Sequence, residues 1–96
     1  MKLYLMHCGF YDMDICDGLY EGHVNFFVVA ESPGDARTKA KSIPDFRTKK
    51  MHVDGLQEIV VVDGYRVSLE EAAEHRGQSL LMSHRHRDLA PKIGNG

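Results

Sequence analysis

The sequence predicts an α+β domain in which a mostly antiparallel sheet of about five strands carries one main helix on one face. The predicted order of elements is β-β-α-β-β-β, followed by a basic C-terminal tail. The strongest sheet signal lies in residues 51 to 69, where Asp63-Gly64 separates two β-branched runs. Such a pair favours a tight hairpin, because both central positions of a type I′ turn need positive φ. The helix signal lies in residues 32 to 43, where a capping residue is followed by proline.

Two strands are predicted before the helix. In residues 2 to 9 both alternating sets of side chains are largely apolar, which is typical of a strand buried on both faces. Residues 23 to 31 also alternate, and one of their faces is wholly apolar. The segment between them, residues 9 to 22, is rich in glycine and aspartate and is therefore predicted to be a loop.

The helix has clear start and stop signals. Ser32 can cap it, Pro33 suits the first helical position, and Asp35 completes a Ser-x-x-Asp capping box. A narrow apolar stripe is expected to lie against the sheet, and it consists of Ala36, Ala40 and Ile43. Pro44 is expected to end the helix, and residues 45 to 50 are expected to form a polar connection.

Three strands are predicted after the helix. Asp54-Gly55 is interpreted as a bend or turn between a short strand at residues 50 to 53 and a longer one at residues 56 to 62. The last strand follows the Asp63-Gly64 hairpin.

The C-terminal part has weaker signals. Residues 70 to 76 can form a short helix closed by Gly77, and residues 80 to 82 form the last apolar cluster, which could add an edge strand or pack against a partner. We therefore expect a single α+β domain over residues 1 to 76 and a C-terminal extension over residues 77 to 96, with the last few residues loose.

Length, charge and cysteine content limit the possible functions. Ninety-six residues make one domain, and a net charge of −2 argues against a general nucleic-acid or anionic-membrane binder. The charge is uneven, since residues 1 to 35 are acidic and residues 75 to 96 are basic, which suggests self-association or an anion contact through the tail. Cys8 and Cys16 are too few for a disulfide framework, and no apolar run approaches the ~20 residues of a membrane span. A cytoplasmic protein with no cofactor and no membrane contact is expected.

One helix can cover only one face of the predicted sheet. The opposite face carries Phe27, Val29 and part of the first strand, and no second helix of comparable quality is predicted to cover it. An exposed apolar sheet surface is commonly buried by a second copy of the chain or by a tail. The sequence therefore predicts a homodimer.

Several short motifs resemble one protein family. They are Leu3-Tyr4-Leu5-Met6, Glu21-Gly22-His23, Phe26-Phe27-Val28-Val29, Met51-His52-Val53-Asp54-Gly55 and Val62-Asp63-Gly64-Tyr65. In this order they are similar to a bacterial family known as domain of unknown function 1543. The resemblance spans residues 1 to about 69 and implies a fold with a Glu-x-His strand, one helix, a His-x-Asp strand and an Asp-Gly-Tyr hairpin. It implies no activity and no catalytic residues.

Polar residues on two predicted strands are spaced two apart, so each set points to one face of its strand. The sets are Glu21, His23 and Asn25 on one strand and His52 and Asp54 on the other. If the strands are neighbours, the sets converge at one end of the sheet, where His7 can join them. Imidazole and carboxylate groups together offer ligands for a divalent metal such as zinc, or a histidine general base oriented by a carboxylate. Alternatively, these are structural strand-end residues, with Asp54 serving a turn.

Three further features have structural explanations as well as functional ones. Cys8 and His7 should point to opposite faces of a strand, so a buried structural cysteine is expected rather than a thiolate with a base. The basic run of His84, Arg85, His86 and Arg87 could hold phosphate or an acidic partner, or it could be a solvated tail. Aromatic residues at strand spacing are expected in the core or an interface, rather than in a base-stacking platform; they are Tyr4, Phe26, Phe27 and Tyr65.

Three functions are compatible with these observations. The first, which the sequence favours, is a non-enzymatic module that dimerises and binds a small-molecule or protein ligand of unknown identity. The second is a small metal-dependent or acid-base enzyme that uses His23, His52 and nearby carboxylates. The third is anion or nucleic-acid binding through residues 84 to 87, with the net charge disfavouring nucleic acid.

Overall fold

The computed structural model describes residues 1–89. The strands are β1 (Lys2–Tyr11), β2 (Glu21–Ala30), β3 (His52–Glu58), β4 (Val61–Val62) and β5 (Tyr65–Arg66). The α-helices are α1 (Pro33–Ala40), α2 (Pro44–Thr48) and α3 (His86–Leu89). Single turns of 3-10 helix occur at Cys16–Gly18 and Ala73–His75. The α+β class, the antiparallel pairing and the single main helix are confirmed.

The first strand, β1, is the centre of the main sheet. The sheet has three strands in the order β2-β1-β3, and β1 pairs antiparallel with both neighbours. Gly9 pairs with His23 on one side and with His52 on the other, so these three residues form one row across the sheet. β1 extends to Tyr11 and β2 starts at Glu21, so the predicted loop over residues 9 to 22 is shorter than expected at both ends.

One face of the main sheet carries the core. Tyr4, Met6 and Cys8 on β1 are fully buried, and α1 packs on this face. The contact is close because the buried residues of the helix are the small Ala36 and Ala40. The remaining buried hydrophobic residues are Val28, Ala30, Phe46 and Met51. Burial of Cys8 agrees with the structural role expected for it.

The predicted helix start is confirmed, but the predicted helix end is wrong. The Ser32 hydroxyl oxygen accepts a hydrogen bond from the Asp35 amide at 3.1 Å, as a capping box requires. The helix ends at Ala40, and Pro44 begins α2 instead of only terminating α1. Proline suits the first turn of a helix because its missing N–H has no helical partner there. Burial of Phe46, which is 8% exposed, holds this short helix on the core.

Asp54-Gly55 does not form a bend or a turn. β3 runs without interruption from His52 to Glu58, and its register with β1 shifts by one residue. Val53 pairs with Cys8 and Gly55 pairs with His7, which leaves Asp54 as the extra residue of a β-bulge. The bulge lets Val53 and Leu56, three residues apart, both pack against the core. Regular alternation would place these two side chains on opposite faces.

The Asp63-Gly64 hairpin is confirmed. Both residues have positive φ, 50° and 82°, as a type I′ turn requires. The strands that it joins, β4 and β5, form a separate two-stranded sheet. The structure has five strands, but two of the predicted ones, at residues 50 to 53 and 56 to 62, largely merge into β3, and β4 and β5 are separate from the main sheet. Tyr65, predicted to lie in the core or an interface, is 78% exposed and therefore not in the core.

The C-terminal part contains little regular structure. Of the short helix predicted over residues 70 to 76, only the 3-10 turn Ala73–His75 forms. The apolar cluster at residues 80 to 82 adds no strand within the described part of the chain, and its side chains are 69 to 87% exposed. The end of the tail, residues 90 to 96, lies outside the described residues. Within residues 1–89, no helix combines the length and apolar character needed to cross a membrane.

Candidate metal centre

The outer face of the main sheet, opposite α1, carries a polar cluster at one end. Its members come from all three strands: His7 and Gly9 from β1, Glu21, His23 and Asn25 from β2, and His52 and Asp54 from β3. The structure thus brings together the two sets of polar residues identified in the sequence. The cluster exists because β1 lies between the strands that carry the two sets.

Glu21, His52 and Asp54 form the tightest part of the cluster. Nε2 of His52 lies 2.9 Å from Oε1 of Glu21 and 3.0 Å from Oδ1 of Asp54. The two carboxylates come from the opposite edges of the three-stranded sheet, so they meet across β1. One imidazole nitrogen therefore faces two carboxylate oxygens. The side chains are 30 to 49% exposed, which leaves the group open to solvent on one side.

The space that these groups share lies over Gly9. A Cβ atom at this position would lie 2.6 Å from Oδ2 of Asp54, 2.7 Å from Nε2 of His52 and closer still to Oε1 of Glu21. Only glycine, which has no Cβ, lets the three side chains approach the central strand so closely. Gly9 is therefore part of the cluster even though it contributes no side chain.

His23 and His7 lie beside this group. Nδ1 of His23 is 3.4 Å from Oδ2 of Asp54, and Nε2 of His23 is 3.9 Å from Oε2 of Glu21. The rings of His7 and His23 stack with centroids 4.8 Å apart and an interplanar angle of 7°. Asn25 lies at the edge, where its Oδ1 is 2.7 Å from Nδ1 of His7.

Two overlapping sets of three side chains have the composition and spacing of a metal site. One set is Glu21, His52 and Asp54, and the other is His7, His23 and Asp54; within each set one ligand atom per residue lies within 4.8 Å of the others. Mixed imidazole and carboxylate ligands suit zinc and related divalent transition metals. Asn25 is not in either set, although the sequence motif included it.

Sequence reasoning gave Gly9 no role. It lies where the predicted strand over residues 2 to 9 meets the predicted loop, and in the structure it is buried within β1. Its spacing of two residues from His7 places both residues on one face of the first strand. Only the strand pairing reveals that Gly9 lies between two histidines.

Cys8 lies next to the cluster in sequence but on the other face of the sheet. Burial raises the pKa of its thiol, and the negative charge of Asp54 raises this pKa further. A raised pKa keeps the thiol protonated, which disfavours a role as a nucleophile or a metal ligand.

The basic run at residues 84 to 87 is separate from the cluster in sequence and is exposed. The backbone N–H of Arg85 donates to Oδ2 of Asp88 at 3.0 Å, within the turn that leads into α3. Asp88 therefore has a hydrogen-bond partner within its own turn. Anion binding by residues 84 to 87 stays a prediction.

Comparison with known proteins places the chain in a family without assigning an activity. No curated protein matches the chain. No solved structure matches it. A family model described as Domain of Unknown Function (DUF1543) matches residues 18–69, which include both polar strand motifs and the hairpin. Because this match covers more than half of the 96 residues, the chain belongs to the DUF1543 family.

Proposed function

We propose that this domain binds a divalent transition-metal ion, with zinc as the reference ion, through Glu21, His52 and Asp54. The observation that carries the proposal is that Nε2 of His52 meets Oε1 of Glu21 and Oδ1 of Asp54, with the three side chains crowded over Gly9. All three are groups that ligate zinc in proteins.

The charge of the group supports a cation. Nε2 of His52 can carry only one hydrogen, yet it faces an oxygen of Glu21 and an oxygen of Asp54 at nearly equal distances. A divalent ion would balance both negative charges at once. The ion would also accept the lone pair of Nε2 of His52. A carboxylate oxygen cannot accept this lone pair, because the oxygen is itself a lone-pair donor.

The spacing of the three atoms also supports a metal ion. Ligand atoms bound to one zinc ion at about 2.0 to 2.1 Å lie about 2.9 Å apart at right angles and about 3.4 Å apart in a tetrahedron. The observed separations of 2.9 and 3.0 Å from Nε2 of His52 fall at the lower end of this range. His52 therefore needs little movement relative to either carboxylate, and one oxygen of Glu21 and one of Asp54 lie within 4.8 Å of each other.

Three protein ligands leave at least one coordination position for water or another ligand. The partial exposure of Glu21, His52 and Asp54 places that position at the protein surface. The proposal therefore keeps the small-molecule ligand expected from the sequence, and it makes the bound metal the group to which this ligand binds.

The experiment is calorimetric titration with Zn²⁺ of protein prepared without an affinity tag. The background variant carries His75→Gln, His84→Gln and His86→Gln, which removes the histidines outside the cluster. In this background Glu21→Gln and His52→Ala should each lower zinc affinity by more than about 100-fold, because each removes a direct ligand and loss of an indirect one already costs 10 to 100-fold.

The matched control is Glu70→Gln, which neutralises an exposed glutamate outside the cluster. It should leave zinc affinity unchanged. Equal affinity of the background protein and the His52→Ala variant would contradict the proposal. Circular dichroism of each variant checks that the sheet is retained.

We also propose that the domain forms a homodimer through the apolar end of the outer face. Phe27 on this face is 54% exposed and lies beside the half-buried Leu3 and Val29. A second copy would bury this surface without covering the polar end. Sedimentation should give a dimer that Phe27→Glu converts to a monomer, whereas Tyr65→Glu, at a 78% exposed site on the separate hairpin, should not. A monomeric wild type would contradict this proposal.

The expected cytoplasmic location stays a prediction.

A further inference from the structure

Asp54 faces two different groups with its two oxygens. Oδ1 lies 3.0 Å from Nε2 of His52, while Oδ2 lies 3.4 Å from Nδ1 of His23. We propose that the cluster binds two divalent metal ions bridged by Asp54, with the second ion held by His7 and His23. This inference rests on the proposed metal-binding function and extends it from one ion to two.

The ligand atoms for a second ion are already close to one another. One nitrogen each from His7 and His23 and one oxygen of Asp54 lie within 4.8 Å of one another. Because the two rings are stacked with an interplanar angle of 7°, their nitrogen lone pairs run nearly parallel, so the His23 ring must turn about its side-chain bonds for both to bind one ion. Two histidines and one carboxylate form a ligand set that binds iron, zinc and related ions.

The hydrogen bond between His7 and Asn25 prepares His7 for metal binding. Oδ1 of Asn25 is an acceptor, so Nδ1 of His7 carries the hydrogen in the 2.7 Å contact. The lone pair of the neutral ring is then on Nε2, which can bind a metal. Metal-ligating histidines generally donate their second N–H in this way, because the bond fixes both the tautomer and the ring orientation.

Glu21 also reaches both groups. Its Oε1 lies 2.9 Å from Nε2 of His52, and its Oε2 lies 3.9 Å from Nε2 of His23. Glu21 and Asp54 therefore each face His52, which belongs to the first ion, and His23, which belongs to the second. In two-metal sites the ions lie about 3.5 to 4 Å apart, a separation at which both can be bound by one carboxylate.

The decisive variant is His7→Phe in the background that lacks His75, His84 and His86. Phenylalanine keeps a flat ring that can stack on His23 but supplies no ligand nitrogen. His7 is exposed, so the change leaves the core untouched. Titration with Zn²⁺ should give two ions bound per chain in the background protein and one in the His7→Phe variant.

Electron paramagnetic resonance of the protein loaded with Cu²⁺ measures whether the ions share Asp54. The background protein should give a spin-coupled spectrum, because ions about 3.5 to 4 Å apart interact strongly. The His7→Phe variant should give the spectrum of an isolated Cu²⁺ ion.

The outcomes separate the two proposals. One ion in both proteins would overturn the second site and leave the site of Glu21, His52 and Asp54 in place. Two ions without spin coupling would overturn the bridge through Asp54. Failure of the background protein to bind any ion would overturn this inference together with the proposed function.

Discussion

Gly9 on β1 is the direct register partner of His52 on β3, and a Cβ atom on Gly9 would lie 2.7 Å from Nε2 of that histidine. The ligand set therefore depends on a residue with no side chain. This relationship allows the site to be disrupted without removal of any proposed ligand.

The Gly9→Ala substitution should weaken the metal site while preserving the fold. The atoms that a new Cβ would meet are side-chain ends of Glu21, Asp54 and His52, which can move away. We expect zinc affinity to fall by about 100-fold, the upper end of the cost of disturbing ligand orientation. The free energy of unfolding should change by less than about 1 kcal/mol, because alanine is at least as favourable as glycine within a strand.

Gly55→Ala is the matched control for this prediction. Gly55 lies on β3 next to Asp54, but a Cβ there would meet no atom within 4 Å. Its zinc affinity should equal that of the wild type in the same calorimetric titration. Unchanged zinc binding by Gly9→Ala would show that the space over Gly9 is not the binding position.

Asn25→Leu tests the role of the hydrogen bond to His7. Leucine is similar in size to asparagine but cannot accept the Nδ1 hydrogen of His7. We expect the affinity for the second ion to fall by about 10 to 100-fold, while the first ion binds as before, because Asn25 contacts neither Glu21 nor His52 by a hydrogen bond. Equal loss of both ions, measured by zinc titration, would contradict this assignment.

The two cysteines should react with thiol reagents at very different rates. Cys8 is fully buried and its pKa is raised, whereas Cys16 is exposed. Because the thiolate is the reactive form, native protein should show one fast-reacting thiol with Ellman's reagent and a second only after unfolding. The Cys16→Ser variant should lose the fast phase. Two fast thiols in the native protein would contradict the burial of Cys8.

Deletion of residues 77 to 96 should leave the fold intact. Every buried hydrophobic residue of the described chain lies between positions 4 and 51. We therefore expect urea unfolding to give a free energy within about 1 kcal/mol of the full chain, as is usual for changes at exposed positions. A loss of more than about 2 kcal/mol would contradict the predicted domain boundary at residue 76.

Local sequence signals predicted those elements whose geometry depends on neighbouring residues. The capped start at Ser32 and the turn at Asp63-Gly64 are set by side-chain and backbone preferences within a few positions. The alternation of Glu21 and His23, and of His52 and Asp54, identified the residues that could share a face.

At two places the rest of the fold overrides a local sequence signal. Asp54-Gly55 has the composition of a turn, but pairing with β1 and burial of Val53 and Leu56 hold it as a bulge. Pro44 has the composition of a helix stop, but burial of Phe46 stabilises a second helix after it. In both places the packing of distant residues overrides a local preference.

The sequence by itself determined the helix cap, the hairpin turn and the identity of the polar residues, because these follow from backbone preferences and residue chemistry. Only the tertiary structure decided that β1 lies between β2 and β3, and that Gly9 lies between His23 and His52. Strand order and register are fixed by contacts between residues far apart in the chain, and these contacts have no local signal.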